Sequence, residues 1–266
     1  GDGTLGISIV AGTATDGINL APAAGPSPTF TVDNSGPTLT ISAPTPAVTS
    51  AGPVTYTVTY TGATAITLSA ADVTLNATGS ATGDIAVTGT GTSTRTVTIN
   101  NITGDGTLGI SIVAGTATDG INLAPAAGPS GTFTVDNTGP SGFTVNIVQA
   151  VINQTNETAI SFNIIGGEIG ATFTYSFSSD SGGGAVTGSG TINSVSQTIS
   201  GNNLSSLGNG TVELSVTLTD TLGNEGDTQT DTAPKTTCFA GTAAPTSSGA
   251  DTQFCAGETL PGLGTF

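Results

Sequence analysis

Histidine, tryptophan and methionine are absent from these 266 residues, and lysine and arginine together number two. Without imidazole there is no general base of the commonest kind, and no Ser-His or Cys-His pair to make a nucleophile. Lys235 and Arg95 are the whole cationic complement, too little to clamp a phosphate or stabilise an oxyanion by charge. The usual zinc sites need clusters of Cys or His, and the only cysteines are Cys238 and Cys255. A glycosidase carboxylate pair is formally compatible with the composition. Sugar clefts, however, stack rings on aromatic faces, and the chain offers three Tyr (Tyr56, Tyr60 and Tyr175) and no Trp. Those three fall in alternating patterns and read as core or cross-strand partners. No catalytic residue and no active site emerge, so the chain reads as non-enzymatic.

Charge of one sign is also scarce. Eighteen acidic residues face two basic ones, for a net charge of −16. Such a chain repels phosphate backbones, which excludes nucleic acid as a partner, and it is disfavoured at anionic membrane surfaces. No apolar run is long enough for a spanning helix, so direct membrane insertion is not expected. Divalent cations are the natural counter-ions. Two readings of the acidity stay open: solubility of a long secreted protein, or bound Ca²⁺ as the one cofactor the composition suggests.

What is abundant is Gly, at 40 residues, with Thr, Ser, Val and Ile. Branching at Cβ suits a pleated surface better than a helix. No helical period appears, whereas Val54-Thr55-Tyr56-Thr57-Val58-Thr59-Tyr60 alternates cleanly, with one face to bury and one to solvate. The chain is all-β.

Its organisation is set by a repeat. Residues Gly1–Pro37 recur at Gly104–Pro140, an offset of 103, and the copies differ only at Pro28/Gly131 and Ser35/Thr138. A period near 100 residues is one β-sandwich; solenoid turns and propeller blades repeat every ~20 to 50. The second copy closes a complete unit, so residues 1–36 read as the back third of a preceding repeat. Residues 37–139 form the complete one, with strands expected at 39–42, 54–60, 65–68, 72–76, 84–88, 95–99, 108–113 and 132–135. Residues 140–233 form a second, diverged domain, with strands expected at 143–148, 159–164, 172–177, 190–192, 197–199, 212–219 and 228–231. Residues 234–266 read as a linker and the start of a following cysteine-containing module. The fold expected is a tandem of immunoglobulin-like antiparallel β-sandwiches.

The run Gly106-Thr107, Ile110-Ser111-Ile112-Val113, Thr116-Ala117-Thr118-Asp119, then Phe133-Thr134-Val135-Asp136-Asn137-Thr138-Gly139-Pro140, resembles the last two strands of bacterial Ig-like repeats. The diverged domain ends alike, in Gly210–Asp220 and Gly223-Asn224. Ala250–Gly257 is similar to the opening of cysteine-containing modules in Bacteroidota surface proteins. Together these resemble giant adhesins exported by the type IX secretion system, gliding-motility adhesins among them. The resemblance implies a bacterial cell-surface location and a stalk segment that projects a distal binding region. Its partners would be neighbouring Ig-like domains or other copies of the chain, with surface glycans or proteins bound by regions outside these residues. Two alternatives are a self-assembling fibre subunit with strand exchange, and a carbohydrate-binding module of a secreted enzyme. Asp220-Thr221-Leu222 and Asp231-Thr232-Ala233 look like the O-glycosylation motif of that phylum, at Thr221 and Thr232. Sequons at Asn76, Asn101, Asn153, Asn156, Asn203 and Asn209 are what chance supplies in so Thr- and Asn-rich a chain.

The candidate metal ligands are acidic residues in turns. Asp2, Asp16, Asp105 and Asp119 lie in Gly-flanked turns, and Asp33-Asn34 and Asp136-Asn137 lie at the domain junctions before Gly-Pro. Asp33, Asp136, Asp119 and Asn137 are therefore either Asx-turn caps or part of an oxygen shell for Ca²⁺. In family members a Gly-Asn turn stands where this chain has Gly120-Ile121-Asn122. Cys238 and Cys255 are 17 residues apart, and outside the cell a disulfide is the default. A bridge over such a loop adds about 3 kcal/mol in the chain-entropy account. The family pattern supports a rival pairing, of Cys255 with a later cysteine.

Overall fold

The computed structural model describes residues 1–237 and the paired two-residue strands Thr259–Leu260 and Gly264–Thr265. Two compact units emerge, Gly1–Asn137 and Thr138–Phe266. Among the described residues the only helical element is a 3₁₀ turn at Ala70–Asp72, closed by Ser69 N–H donating to Asp72 Oδ2 at 2.9 Å.

The first unit carries, in order, β1 (Gly3–Leu5), β2 (Phe30–Val32), β3 (Thr38–Ile41), β4 (Val48–Thr49), β5 (Val54–Thr61) and β6 (Ala65–Ile66). It continues with β7 (Val73–Ala77), β8 (Thr82–Thr88), β9 (Thr94–Thr103), β10 (Gly106–Ile112), β11 (Ala117–Thr118) and β12 (Phe133–Val135). The main sheets run β3-β5-β9-β8 and β4-β12-β10-β7, and the short β4 pairs in parallel with β12. Taking the seven long strands in order, the first sheet joins the first, second, fifth and fourth. The other joins the third, sixth and seventh, which is the constant-type immunoglobulin arrangement. The alternation of β5 does what its period requires: Val54, Tyr56, Val58 and Tyr60 point inward and are buried. They meet Val97 and Ile99 of β9, Leu108, Ile110 and Ile112 of β10, and Phe133 and Val135 of β12 in one core. The buried Tyr hydroxyls find partners, Tyr56 donating to the Gly131 carbonyl at 3.1 Å and Tyr60 sharing a 2.8 Å bond with Thr116 Oγ1. The strands expected from sequence are all present, joined by β4 and β11, which are too short to show a period.

The second unit carries β13 (Thr144–Ile147), β14 (Ile160–Ile165), β15 (Thr172–Ser179), β16 (Val186–Thr191), β17 (Ser196–Asn202), β18 (Gly210–Thr219) and β19 (Gln229–Lys235). Its sheets are β13-β14-β17 and β16-β15-β18-β19, so the fourth strand has left the first sheet for the second. Composition accounts for the change of sheet. Tyr175 stands opposite Gly188 and Phe173 opposite Gly190 in the β15–β16 register. A Cβ at Gly190 would come within 2.7 Å of the Phe173 ring. The rings lie over the glycines of an edge strand, a pairing that holds register where the strand itself has little to pack. The sequence places this strand at 190–192; with glycine at 188 and 190, β16 shows no apolar alternation to reveal its true extent. Phe162, Phe177 and Tyr175 stack edge to face around this core, with centroids 5.0 to 5.9 Å apart. Strand β19 runs on through Pro234 to Lys235, past the point where the composition changes.

Candidate functional site

Asp2, Asp16, Asp33, Asp105, Asp119 and Asp220 are engaged by backbone N–H groups close in sequence or in the paired strand. Asp119 Oδ1 accepts from Ile121 and Asn122, both at 2.7 Å, and its first-repeat counterpart Asp16 makes the same bonds to Ile18 and Asn19. In the second unit Asp220 Oδ1 accepts from Leu222 and Asn224, each at 2.8 Å. These are Asx turns, the local alternative that Asp offers to sheet pairing. The N–H of Asn122, then that of Ile121, holds the Asp119 carboxyl below its usual range. At Asp220 burial pushes the carboxyl up, but the backbone and amide N–H groups of Asn224, with those of Leu222 and Gly223, outweigh it and leave it lowered.

At the junctions, Asn137 N–H donates to Asp105 Oδ1 and Asn34 N–H to Asp2 Oδ1, both at 2.6 Å. The Ser35 hydroxyl also bonds Asp2. Asp33 Oδ1 accepts from Ser35 N–H at 3.1 Å, while the Asp33 carbonyl accepts from Asn122 Nδ2 at 3.3 Å. The structure thus brings the Asp33 carbonyl to the Asp119–Asn122 turn, while the Asp33 carboxylate accepts from Ser35. It places Asp136 and Asn137 elsewhere, with Asp136 N–H donating to the Thr49 carbonyl and Asn137 beside Asp105. Gly36 lies against this turn so closely that a Cβ there would be 2.7 Å from the Leu123 carbonyl. Among the described residues no group of three or more His, Cys, Asp or Glu is placed to hold a metal ion. Cys238 and Cys255 lie outside the described residues, as does Ala250–Gly257. Thr221, in the Asp220 turn, and Thr232, on the edge strand β19, are both exposed.

The feature that separates the two copies is burial. Residues 1–36 keep the internal geometry of 104–137: Gly3↔Val32, Thr4↔Thr31 and Leu5↔Phe30 repeat Gly106↔Val135, Thr107↔Thr134 and Leu108↔Phe133. Ile7 N–H bonds Ser27 Oγ at 3.0 Å as Ile110 N–H bonds Ser130 Oγ at 2.9 Å. Yet Leu5, Ile7 and Phe30 are 56, 69 and 63 % exposed, against 0, 0 and 1 % for Leu108, Ile110 and Phe133. Ile9 is likewise 48 % exposed against 2 % for Ile112, so the strand face that is buried in the second copy is open in the first.

No protein-family model and no curated protein matches the chain. Solved structures similar to it include the Yersinia pseudotuberculosis adhesin InvE, 19 % identical, covering 73 % of this chain and 58 % of that one, with a TM-score of 0.30. A tetra-tandem repeat from the extending region of a large adhesion protein is 18 % identical over 87 % of this chain and 56 % of that one, with a TM-score of 0.32. The FN1–FN3 domains of chicken CNTN1 are 13 % identical over 84 % and 74 %, with a TM-score of 0.30. The chain thus spans less than two thirds of the two adhesin structures. The immunoglobulin-like assignment rests on the strand order of the sandwiches themselves.

One site escaped the sequence reading. Lys235, one of only two cations, is buried; its Nζ sits 2.9 Å from Glu157 Oε2 and donates to the carbonyls of Leu204 and Leu207 at 2.6 and 2.7 Å. Three donors meet three acceptors, so the charge is fully satisfied in the interior. The pin ties the last strand to the Glu157 turn and the 204–207 loop. The signal was present: Ala233 and Lys235 occupy alternate, inward positions of one strand.

Proposed function

We propose that the chain is a structural stalk segment of a repetitive bacterial cell-surface adhesin, contributing length and mechanical continuity instead of catalysis. The observation that carries this reading is the duplication: residues 1–37 recur almost verbatim at 104–140, an offset of 103, and each full sandwich has its own sealed core. Repetition of a self-sufficient fold adds reach without a new fold. The absence of histidine and the pairing of the Asp2, Asp16, Asp33, Asp105, Asp119 and Asp220 carboxylates with nearby N–H groups agree with a role without chemistry. A distal region outside these residues would bind the surface glycan or protein. Type IX export and a part in gliding are the finer form of the proposal, supported by the resemblance of Ala250–Gly257 and of the strand endings. A carbohydrate-binding module fits less well, because Tyr56 and Tyr60 are buried and Tyr175 packs against Phe162, leaving no tyrosine platform for a sugar ring. Negative-stain imaging of the native assembly tests the reading. Beads along a thin string are expected; a regular helical fibre or a compact particle with turnover would overturn it.

A further inference from the structure

A net charge of −16 makes two copies of this chain repel, yet one stretch is exempt: residues 181–212, between Asp180 and Glu213, hold no charged side chain. Strand β16 lies inside that stretch, at one edge of the sheet β16-β15-β18-β19. Among the described residues no strand pairs along its outer side. An open edge is a template for further pairing, and charge, proline and bulges are what discourage it. Edge strand β8 has Asp84 with a register shift beside it, and β19 has Asp231 and Pro234. Edge strand β17 shifts register against β14 between Ile160 and Phe162. β16 has none of these devices. Its six residues pair with β15 without a break, from Phe177↔Val186 to Thr172↔Thr191.

The ladder fixes which of its groups face outward. Ile192 N–H donates to the Ala171 carbonyl at 2.8 Å, one step beyond the Thr172↔Thr191 pair. Antiparallel strands exchange hydrogen bonds at alternate pairs, so Gly188 and Gly190 turn their main-chain groups to β15. Thr187, Ser189 and Thr191 turn theirs to the outer edge. The Thr191 carbonyl agrees, since it accepts from Asn193 Nδ2 and Gln197 Nε2, both at 3.1 Å. The side chains of the same three residues are exposed, whereas Gly188 and Gly190 lie under the rings of Tyr175 and Phe173.

The order of residues then selects the partner. Thr187-Gly188-Ser189-Gly190-Thr191 reads the same in both directions. Antiparallel pairing with the same strand of a second copy, about a two-fold axis at Ser189, sets Ser189 on Ser189, Gly188 on Gly190 and Thr187 on Thr191. We propose that β16 is a self-association edge, through which two copies of the chain join their four-stranded sheets into one. In this register the two Ser189 residues exchange main-chain bonds, and each Thr191 N–H reaches the partner's Thr187 carbonyl. The Thr191 carbonyls keep their Asn193 and Gln197 donors, so no existing bond is broken. On the exposed face the Thr and Ser hydroxyls stand opposite one another, a favourable cross-strand pairing. On the other face the glycines put no side chain between the rings of the two copies. Such a contact uses the same patch on both partners and closes at two. The inference does not depend on the stalk reading.

The test is sedimentation equilibrium of the whole chain up to about 1 mM, a range that populates weak contacts. Salt at about 0.15 M screens the net charge of the copies beyond about 8 Å. A reversible monomer–dimer equilibrium is expected, with amide protection at Thr187, Ser189 and Thr191 that rises with concentration. Ser189→Lys sets like charges directly opposite each other at the axis, and Ser189→Glu does the same with the other sign. Each alone should weaken the dimer at least about fivefold and leave the melting of the monomer unchanged. Mixing the two variants should restore it as a heterodimer. Ser189→Pro removes the outward N–H at an edge position that tolerates proline, and should abolish pairing. Three results would overturn the proposal. One is a monomer throughout the concentration range; another is a dimer that neither Ser189→Lys nor Ser189→Pro weakens. The third is a pair of charge variants that weaken the dimer but do not restore it when mixed, which would take Ser189 off the axis.

Discussion

Ile7 and Ile110 sit in the same pentapeptide, Leu-Gly-Ile-Ser-Ile, one at 69 % exposure and the other at 0 %. Truncating each to alanine therefore compares two environments at constant local sequence. Ile110→Ala removes atoms packed in the first sandwich core and leaves a cavity, which costs about 2–5 kcal/mol. Ile7→Ala removes atoms already in water, and surface changes of that kind stay within about 0.5 kcal/mol. For a domain of this size each kcal/mol is worth about 4–8 °C, so Ile110→Ala should lower the melting of the first sandwich by about 10 °C or more and Ile7→Ala by a few degrees at most. Differential scanning calorimetry reads the transition. Tyrosine emission assigns it, because Tyr56 and Tyr60 report on the first sandwich and Tyr175 on the second. Equal shifts from the two variants, or no shift from Ile110→Ala, would refute the reasoning.

Acid should destabilise both sandwiches below about pH 4. Asp119 and Asp220 titrate lower folded than unfolded, so their contribution is complete above the unfolded value and is lost as pH falls through the folded one. A melting temperature flat from pH 4 to 2 would contradict this. In base, burial raises the Tyr56 and Tyr60 phenols despite the hydrogen bonds that lower them, so the first sandwich should weaken above about pH 10, read by tyrosinate absorbance. Lys235→Met should cost the second sandwich about 3–5 kcal/mol, because it strands the mostly buried Glu157 carboxylate and two carbonyls. A loss under 1 kcal/mol in urea unfolding would show the pin to be dispensable. The Asx-turn reading of Asp33, Asp119, Asp136 and Asn137 expects the same melting curve in EDTA and in millimolar Ca²⁺, and a Ca²⁺-dependent rise would instead establish a metal at the junction.

What was legible in the sequence is what period and repetition encode. The buried face of β5 follows from strict alternation, and the repeat length set one sandwich per 103 residues. β16 was misplaced because Gly188 and Gly190 carry no side chains to alternate; their packing is supplied by Phe173 and Tyr175 from the neighbouring strand. Lys235 was passed over because a lone cation reads as a solvated end, and its acceptors lie 28, 31 and 78 residues away in sequence. The turn carboxylates were legible as a type but not as an outcome, since Asp-Gly is equally a backbone cap and an ion ligand until the N–H groups around it are placed.

The duplicated segment carries the same point further. Local pairing, turns and capping bonds are reproduced in residues 1–36 without any of the core that buries residues 104–137, so those features belong to the string itself. Burial does not: Leu5 and Leu108 share the four residues before them and all those after as far as Ser27 and Ser130, and only the second is buried against the sheet of β7.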